Sequence, residues 1–183
     1  MWATRLWWLL RYFGFDDVRL LDGGLRSWLR AGYPVSSAPP PLVEPSLFVA
    51  RPRPELLATK DDVIAVVGGR TARLVNALSP RAFRGDGPGA YSRPGRIPGS
   101  VNAPAHDLVD AAGCFRARDE LVDTLAGVLD AGTKAPLIAY CGAGISATVD
   151  IFALSLVGCD DARLYDGSLT EWSADPQLSL EVG

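Results

Sequence analysis

Cys141 heads the run Cys141-Gly142-Ala143-Gly144-Ile145-Ser146-Ala147, directly after the apolar stretch Pro136-Leu137-Ile138-Ala139-Tyr140 and before an apolar segment over 148–157. The first stretch predicts a buried strand and the last a helix, so the cysteine falls at a strand-to-helix junction. Backbone N–H groups converge at such a junction and the helix dipole is positive there. That environment favours a thiolate and makes the sulfur a nucleophile near neutral pH. Gly142 and Gly144 permit the tight, partly left-handed backbone that turns several N–H groups toward one atom. The bland alternative is a small buried hydrophobe in an ordinary turn; the flanking glycines argue against it.

Two chemistries use a cysteine cradled by amides. Phosphatases of the Cys-x5-Arg type need an arginine six positions on to clamp phosphate oxygens. Here that position is Ala147, and the loop holds no charged residue. A neutral ring of amides suits the single negative charge of a sulfane sulfur, Cys–S–S⁻. Of the other thiols, Cys114 and Cys159 lie in turn-like contexts that do not tune a sulfur. His106, the only histidine, could form a Cys–His pair with Cys141, although a loop position is the simpler reading. No Cys/His spacing suggests zinc, and no cofactor is expected.

Positioning these residues requires strands that alternate with helices. Thr59 before Lys60-Asp61-Asp62 predicts an N-capped helix running to Val67. Residues 73–77 predict a short buried strand. Residues 118–129 predict an amphipathic helix with Leu121, Leu125, Val128 and Leu129 inward. Ser168-Leu169-Thr170-Glu171 has the form of a capping box opening a last helix. The alternation implies an α/β fold, a parallel sheet with helices on both faces. Ligands in such folds bind beyond the carboxyl ends of strands, where Cys141 lies.

The sequence resembles the rhodanese (sulfurtransferase) family. Cys141-Gly142-Ala143-Gly144-Ile145-Ser146 is similar to the Cys-Gly-Ser-Gly-Val-Thr loop of 3-mercaptopyruvate sulfurtransferases. Arg96-Ile97-Pro98-Gly99-Ser100-Val101-Asn102 resembles the family's His-Ile-Pro-Gly segment. Leu74-Val75-Asn76-Ala77-Leu78-Ser79-Pro80 resembles its Asp-Ala-Arg-x-Pro strand end. The stretches from Arg163 to Trp172 and Ala174-Asp175-Pro176 match its terminal part. Arg96, Asn76, Leu78 and Ala82 depart from the family's histidine, aspartate and two arginines. The resemblance implies a persulfide on Cys141, with the loop 142–147 and Ser146 holding the sulfur. It implies 3-mercaptopyruvate or thiosulfate as donor, and a thiol or cyanide as acceptor. Arg81, Arg84, Arg93 and Arg96 gather in an otherwise acidic chain. They are either a solvated loop or an anion-attracting rim, and Arg84 and Arg96 are taken as substrate-binding candidates.

The chain also repeats itself. Gly14, Asp16, Asp17, Arg19, Leu20, Asp22, Gly23, Leu25 and Trp28 recur 144 positions later, at 158 through 172 (166 − 22 = 144), and Ala3-Thr4 aligns with Ala147-Thr148. The expected organisation is the end of a first, non-catalytic unit over 1–35, a Pro/Ser-rich linker over 36–47, and a catalytic unit over 48–183. The run Leu6-Trp7-Trp8-Leu9-Leu10 is apolar around most of a helix and must be covered. Docking on the second unit, dimerisation or poor solubility would follow. The alternative reading is a fragment that lacks the first unit's sheet and acts only as a sulfur carrier or interaction module.

Composition reads as a globular, soluble chain: 48% hydrophobic, 21% charged and a net charge of −3. The acidic balance excludes an ordinary nucleic-acid footprint. The apolar run is too short to span a membrane. Three cysteines without a signal-type N-terminus point to a reducing, cytoplasmic setting.

Overall fold

The computed structural model describes residues 1–41, 43–69, 71–86, 91–129 and 135–183. Its organising strand is β4 (Leu137–Tyr140), buried at all four positions. A strand with no polar face must be covered on both sides. β2 (Arg73–Asn76) and β5 (Arg163–Tyr165) flank it, and β1 (Leu57–Ala58) and β3 (Val101–Asn102) close the edges. The order is β1-β5-β4-β2-β3 and every pairing is parallel. All carboxyl ends therefore lie along one edge of the sheet, and Ala77, Cys141 and Asp166, each the residue after its strand, sit together there.

Side chains alternate between the two faces of the strands. Val75, Ala139 and Leu164 point into a core shared with α5 (Arg118–Thr124) and α6 (Ala147–Leu156). Leu74, Ile138, Tyr140 and Tyr165 point into the other core, with α3 (Lys60–Gly69) and α7 (Ser168–Trp172). The expected cap of α3 forms reciprocally. The Asp62 carboxylate accepts the Thr59 N–H and the Thr59 hydroxyl accepts the Asp62 N–H, at 2.8 and 3.2 Å. The helix expected over 118–129 is shorter. It ends at Thr124 and passes into turns around Gly127, although Leu121, Leu125 and Val128 are buried and Leu129 packs against them. Glycine inside a helix is costly, and inward packing survives in the turns.

The N-terminal helix α1 (Trp2–Tyr12) docks on α6. Trp7 meets the Phe152 ring edge-on with centroids 4.9 Å apart, and Trp8 stacks on Tyr12. The Thr4 and Thr148 hydroxyls share a hydrogen bond of 2.9 Å in a buried contact. These two residues are 144 positions apart, the offset of the sequence repeat. The contact therefore joins equivalent positions of the two copies of the repeat. α2 (Gly24–Arg30) follows, after a turn in which Gly23 and Gly24 take φ of 72° and 60°. The described residues of 36–47 hold no helix or strand and are exposed; Leu42 lies outside them. The chain then returns to α1, where the Arg51 and Arg53 N–H groups donate to Phe13 and Tyr12 carbonyls. No described helix is long and apolar enough to cross a membrane.

Because Trp7 fills the seam between α1 and α6, its truncation leaves a large void. Trp7→Ala is expected to cost about 3–5 kcal/mol, read as a lowered urea midpoint with an unchanged slope.

Candidate active site

Cys141 leaves the end of β4 nearly enclosed, 2% exposed. The loop that follows is stitched to α7 by its carbonyls. Cys141 O accepts the Leu169 N–H at 3.1 Å, and Gly142 O accepts both the Thr170 N–H and the Thr170 hydroxyl. Engaging the carbonyls on that side leaves the amides. The N–H groups of Gly142, Ala143, Ile145, Ser146 and Ala147 find no acceptor among the described residues. Gly144 takes φ of 71°, which the turn of the loop requires. Unpaired amides beside a buried sulfur are a ready site for an anion held by that sulfur.

Ser168 fixes this geometry. Instead of capping the last helix, where Gly167 is the N-cap residue, it is the first helical residue, with φ of 50°. Its hydroxyl accepts the Cys141 and Gly144 N–H groups, both at 3.1 Å, and donates to Tyr165 O at 2.8 Å. Glu171, the other half of the expected capping box, instead accepts from the Tyr165 hydroxyl at 2.7 Å. A non-glycine residue in left-handed backbone is strained, and here the strain aims one hydroxyl at two loop amides.

Both loop glycines are also demanded by neighbours. A β-carbon at position 142 would stand 2.0 Å from the Tyr91 hydroxyl, and one at 144 would stand 2.1 Å from the Asp166 carboxylate. Tyr91 thus lies over Gly142. Its phenol is pushed up by burial and, secondarily, by the charge of Cys141. Asp166 is held by Arg5 of α1 through two bonds, 2.6 and 3.1 Å, and Arg5 also reaches Gly144 O at 3.3 Å. The N-terminal helix is therefore a strut for the loop. Ser146 is occupied as well, its hydroxyl directed at the Met1 sulfur at 3.3 Å. Beside it opens a cavity of about 570 Å³ bordered by Met1, Thr4, Asp22, Leu78, His106 and Ser146; Cys141 does not line it.

Of the predicted site residues, the structure brings Cys141 and the loop 142–147 together and commits the two arginines elsewhere. Arg84 pairs with Asp86 at 2.8 Å. Arg96 donates to Gly183 O at 2.7 Å, pairs with Glu181 at 3.3 Å and lies over the Phe83 ring. It clasps the C-terminal segment. Arg93 binds the carbonyls of Ser173 and Asp175, and Arg81 donates to Asp86 O. His106 is exposed beside Asp107. Cys114 and Cys159 remain free, and burial, followed by the charges of Asp161 and Asp160, pushes the Cys159 thiol up. Among the described residues no cluster could hold a metal ion. Sequence reasoning missed Tyr91, Ser168, Arg5 and Asp150. Only Asp150 carried a readable signal, a lone acid within an apolar helix.

Residues 57–175 match the family model of the rhodanese-like domain. The chain belongs to the rhodanese family. It is 36% identical over 185 residues to 3-mercaptopyruvate sulfurtransferase of Rattus norvegicus, covering 99% of this chain and 62% of that protein. It is 34% identical over 189 residues to thiosulfate sulfurtransferase of Mus musculus, covering 100% of this chain and 62% of that protein. The chain thus spans less than two-thirds of the length of these curated relatives. Among solved structures, wild-type EanB superposes with a TM-score of 0.85 at 29% identity, over 98% of this chain and 44% of that one. The anaerobic ergothioneine biosynthesis enzyme from Chlorobium limicola, bound to trimethyl histidine, superposes with a TM-score of 0.86 at 29% identity, covering 98% and 45%.

Within this rhodanese unit, Ser168 is the residue whose loss should open the loop. Ser168→Ala orphans two amides, each costing about 1–3 kcal/mol when buried. Ser168→Gly orphans the same amides but relieves the strained φ, so its loss should be the smaller. Urea unfolding of both variants checks the order; a Gly variant as stable as wild type would remove the hydroxyl from the account.

Proposed function

We propose that this chain is a sulfurtransferase that works through a persulfide on Cys141. The observation that carries the reading is a buried sulfur at a strand end, followed by a loop in which five backbone amides have no acceptor among the described residues. The names of its curated relatives, 3-mercaptopyruvate and thiosulfate sulfurtransferase, support the same chemistry. The Cys141 thiolate attacks the sulfane sulfur of the donor and an S–S bond forms. With thiosulfate the donor's S–S bond breaks and sulfite leaves with the electron pair. With 3-mercaptopyruvate the C–S bond breaks, and the proton of the donor thiol passes to the departing carbon, giving pyruvate. In both cases one negative charge remains on sulfur, as Cys–S–S⁻, and the amides of 142–147 hold it as an oxyanion hole holds oxygen. A thiol or cyanide then takes the outer sulfur and regenerates the thiolate, so ping-pong kinetics are expected.

The neutral loop fits either donor, and Arg84 and Arg96 stay the candidates for the donor's carboxylate or sulfonate, each now paired with a neighbour, Arg84 with Asp86 and Arg96 with Glu181 and Gly183 O. The organisation we favour is a catalytic unit over 48–183 preceded by the end of a related unit over 1–35, with 36–47 as linker. The repeat and the Thr4–Thr148 contact support it. A second reading, a carrier or interaction module, draws on the exposed Trp2, Leu6, Leu25 and Leu29 of the N-terminal part, a surface that also suits pairing of two copies through α1.

Intact-mass measurement after incubation with 3-mercaptopyruvate or thiosulfate is expected to show a gain of one sulfur at Cys141, removed by cyanide. Cys141→Ser should take up none while keeping the fold. Saturable turnover is expected of the enzyme, whereas a single stoichiometric load without turnover would favour the carrier.

A further inference from the structure

Asp150 is an acid with no assigned task. It lies in the first turn of α6, is 0% exposed, and neither carboxylate oxygen has a hydrogen-bond partner among the described residues. On a helix, positions 147, 150, 151 and 154 share one face. Ala147, Ile151 and Leu154 are buried in the core that also holds Ala139, Cys141 and Leu164. Asp150 is therefore enclosed by that core, at the end of α6 that follows the Cys141 loop. An isolated buried carboxylate is too costly to keep without donors, and such a group stays protonated instead.

The charged groups on the surrounding elements are committed elsewhere. On α1, Arg5 is taken by Asp166 and Gly144 O, and Arg11 lies over the Trp7 ring. From β5, Arg163 binds Leu57 O and Asp62, and the Tyr165 hydroxyl binds Glu171. The Tyr140 hydroxyl of β4 accepts the Ile97 N–H and meets the Ser100 hydroxyl. His106 and Asp107, on the 3₁₀ turn Ala105–Leu108 that packs on α6, pair with each other at the surface. Arg118 of α5 binds the carbonyls at the far end of α6. Cys141 is left as the ionisable group whose charge reaches Asp150. Burial first, and that charge second, hold the Asp150 carboxyl well above the ordinary carboxylate range.

We propose that Asp150 is a positioning residue for the sulfur of Cys141, a buried carboxylic acid whose ionisation excludes an anion on that sulfur, so that the site carries one negative charge at a time. The thiolate and the persulfide anion each require Asp150 to keep its proton. Two acids in one dry pocket lose their protons in steps that belong to the pair. Raising the pH until Asp150 ionises therefore places a second negative charge beside the sulfur. Loading by an anionic donor should fall there, giving an alkaline limb to the pH profile. The consequence for loading rests on the sulfurtransferase reading; the exclusion of charge is a property of the resting protein and can be measured without a donor.

Infrared titration of the protonated-carboxyl C=O band reads Asp150 directly. In wild type one such band should persist at pH values where ordinary aspartates are ionised, and Asp150→Asn or Asp150→Leu should remove it. Two variants assign the band even if one of them fails to fold. With the sulfur anion removed in Cys141→Ala, the midpoint of the band should fall by about one pH unit, a tenfold change in ionisation. A band absent from wild type, or the same midpoint with and without the Cys141 sulfur, would overturn the proposal. Coupled midpoints in a protein that never takes up sulfur would refute the proposed function and leave the role of Asp150 standing.

Discussion

A negative charge on sulfur, shut away from water, is tolerable only where hydrogen-bond donors already point at it. Under the proposed function, that requirement falls on the loop after Cys141. The five open amides of 142–147 exist because α7 occupies the loop carbonyls and Ser168 occupies two other amides. α7 in turn can hold the loop only because β4 and β5 are neighbours in a parallel sheet, which brings Cys141 and Asp166 to the same edge. The cost of the arrangement is visible as strain at Ser168 and as two glycines whose β-carbons would collide with Tyr91 and Asp166. Preorganisation of this kind means that the donors need not rearrange when the charge arrives.

The N-terminal helix enters the same scheme. Arg5 restrains Asp166, and Asp166 closes against Gly144, so a residue far away in sequence props the loop after Cys141. This pair is half exposed on its carboxylate side and contributes little as an isolated ion pair. Its value lies in geometry. The Thr4–Thr148 contact joins α1 and α6 at equivalent positions of the repeat, so the helix that supports the loop is the repeat counterpart of the helix that follows it.

Much of the fold was legible in the sequence, because it rests on local patterns. The apolar run before Cys141 is β4, the apolar segment after it is α6, and the Thr59–Asp62 cap forms as its residues predict. Cys141 and its glycine loop stood out for the same reason. What stayed hidden depends on contacts between distant residues. Ser168 looks like a helix cap because Glu171 follows it three residues later, yet its hydroxyl meets a loop 27 residues away. Arg96 looks like an anion rim, yet the returning C-terminal segment binds it first. Tyr91 and Arg5 offer no local sign that they meet the loop. Asp150 was passed over although it is a lone acid in an apolar helix, and its complete burial needed the packing of α6 on the sheet.

The central claim is that the amides of 142–147 receive a sulfur anion carried by Cys141. A crystal structure of the protein after loading with donor, with anomalous scattering used to locate sulfur, tests it most directly. The account predicts one additional sulfur bonded to Cys141 Sγ and surrounded by the N–H groups of Gly142, Ala143, Ile145, Ser146 and Ala147, with Ser168 still holding the Cys141 and Gly144 amides. A loaded sulfur lying outside that ring, or amides turned away from it, would contradict the account.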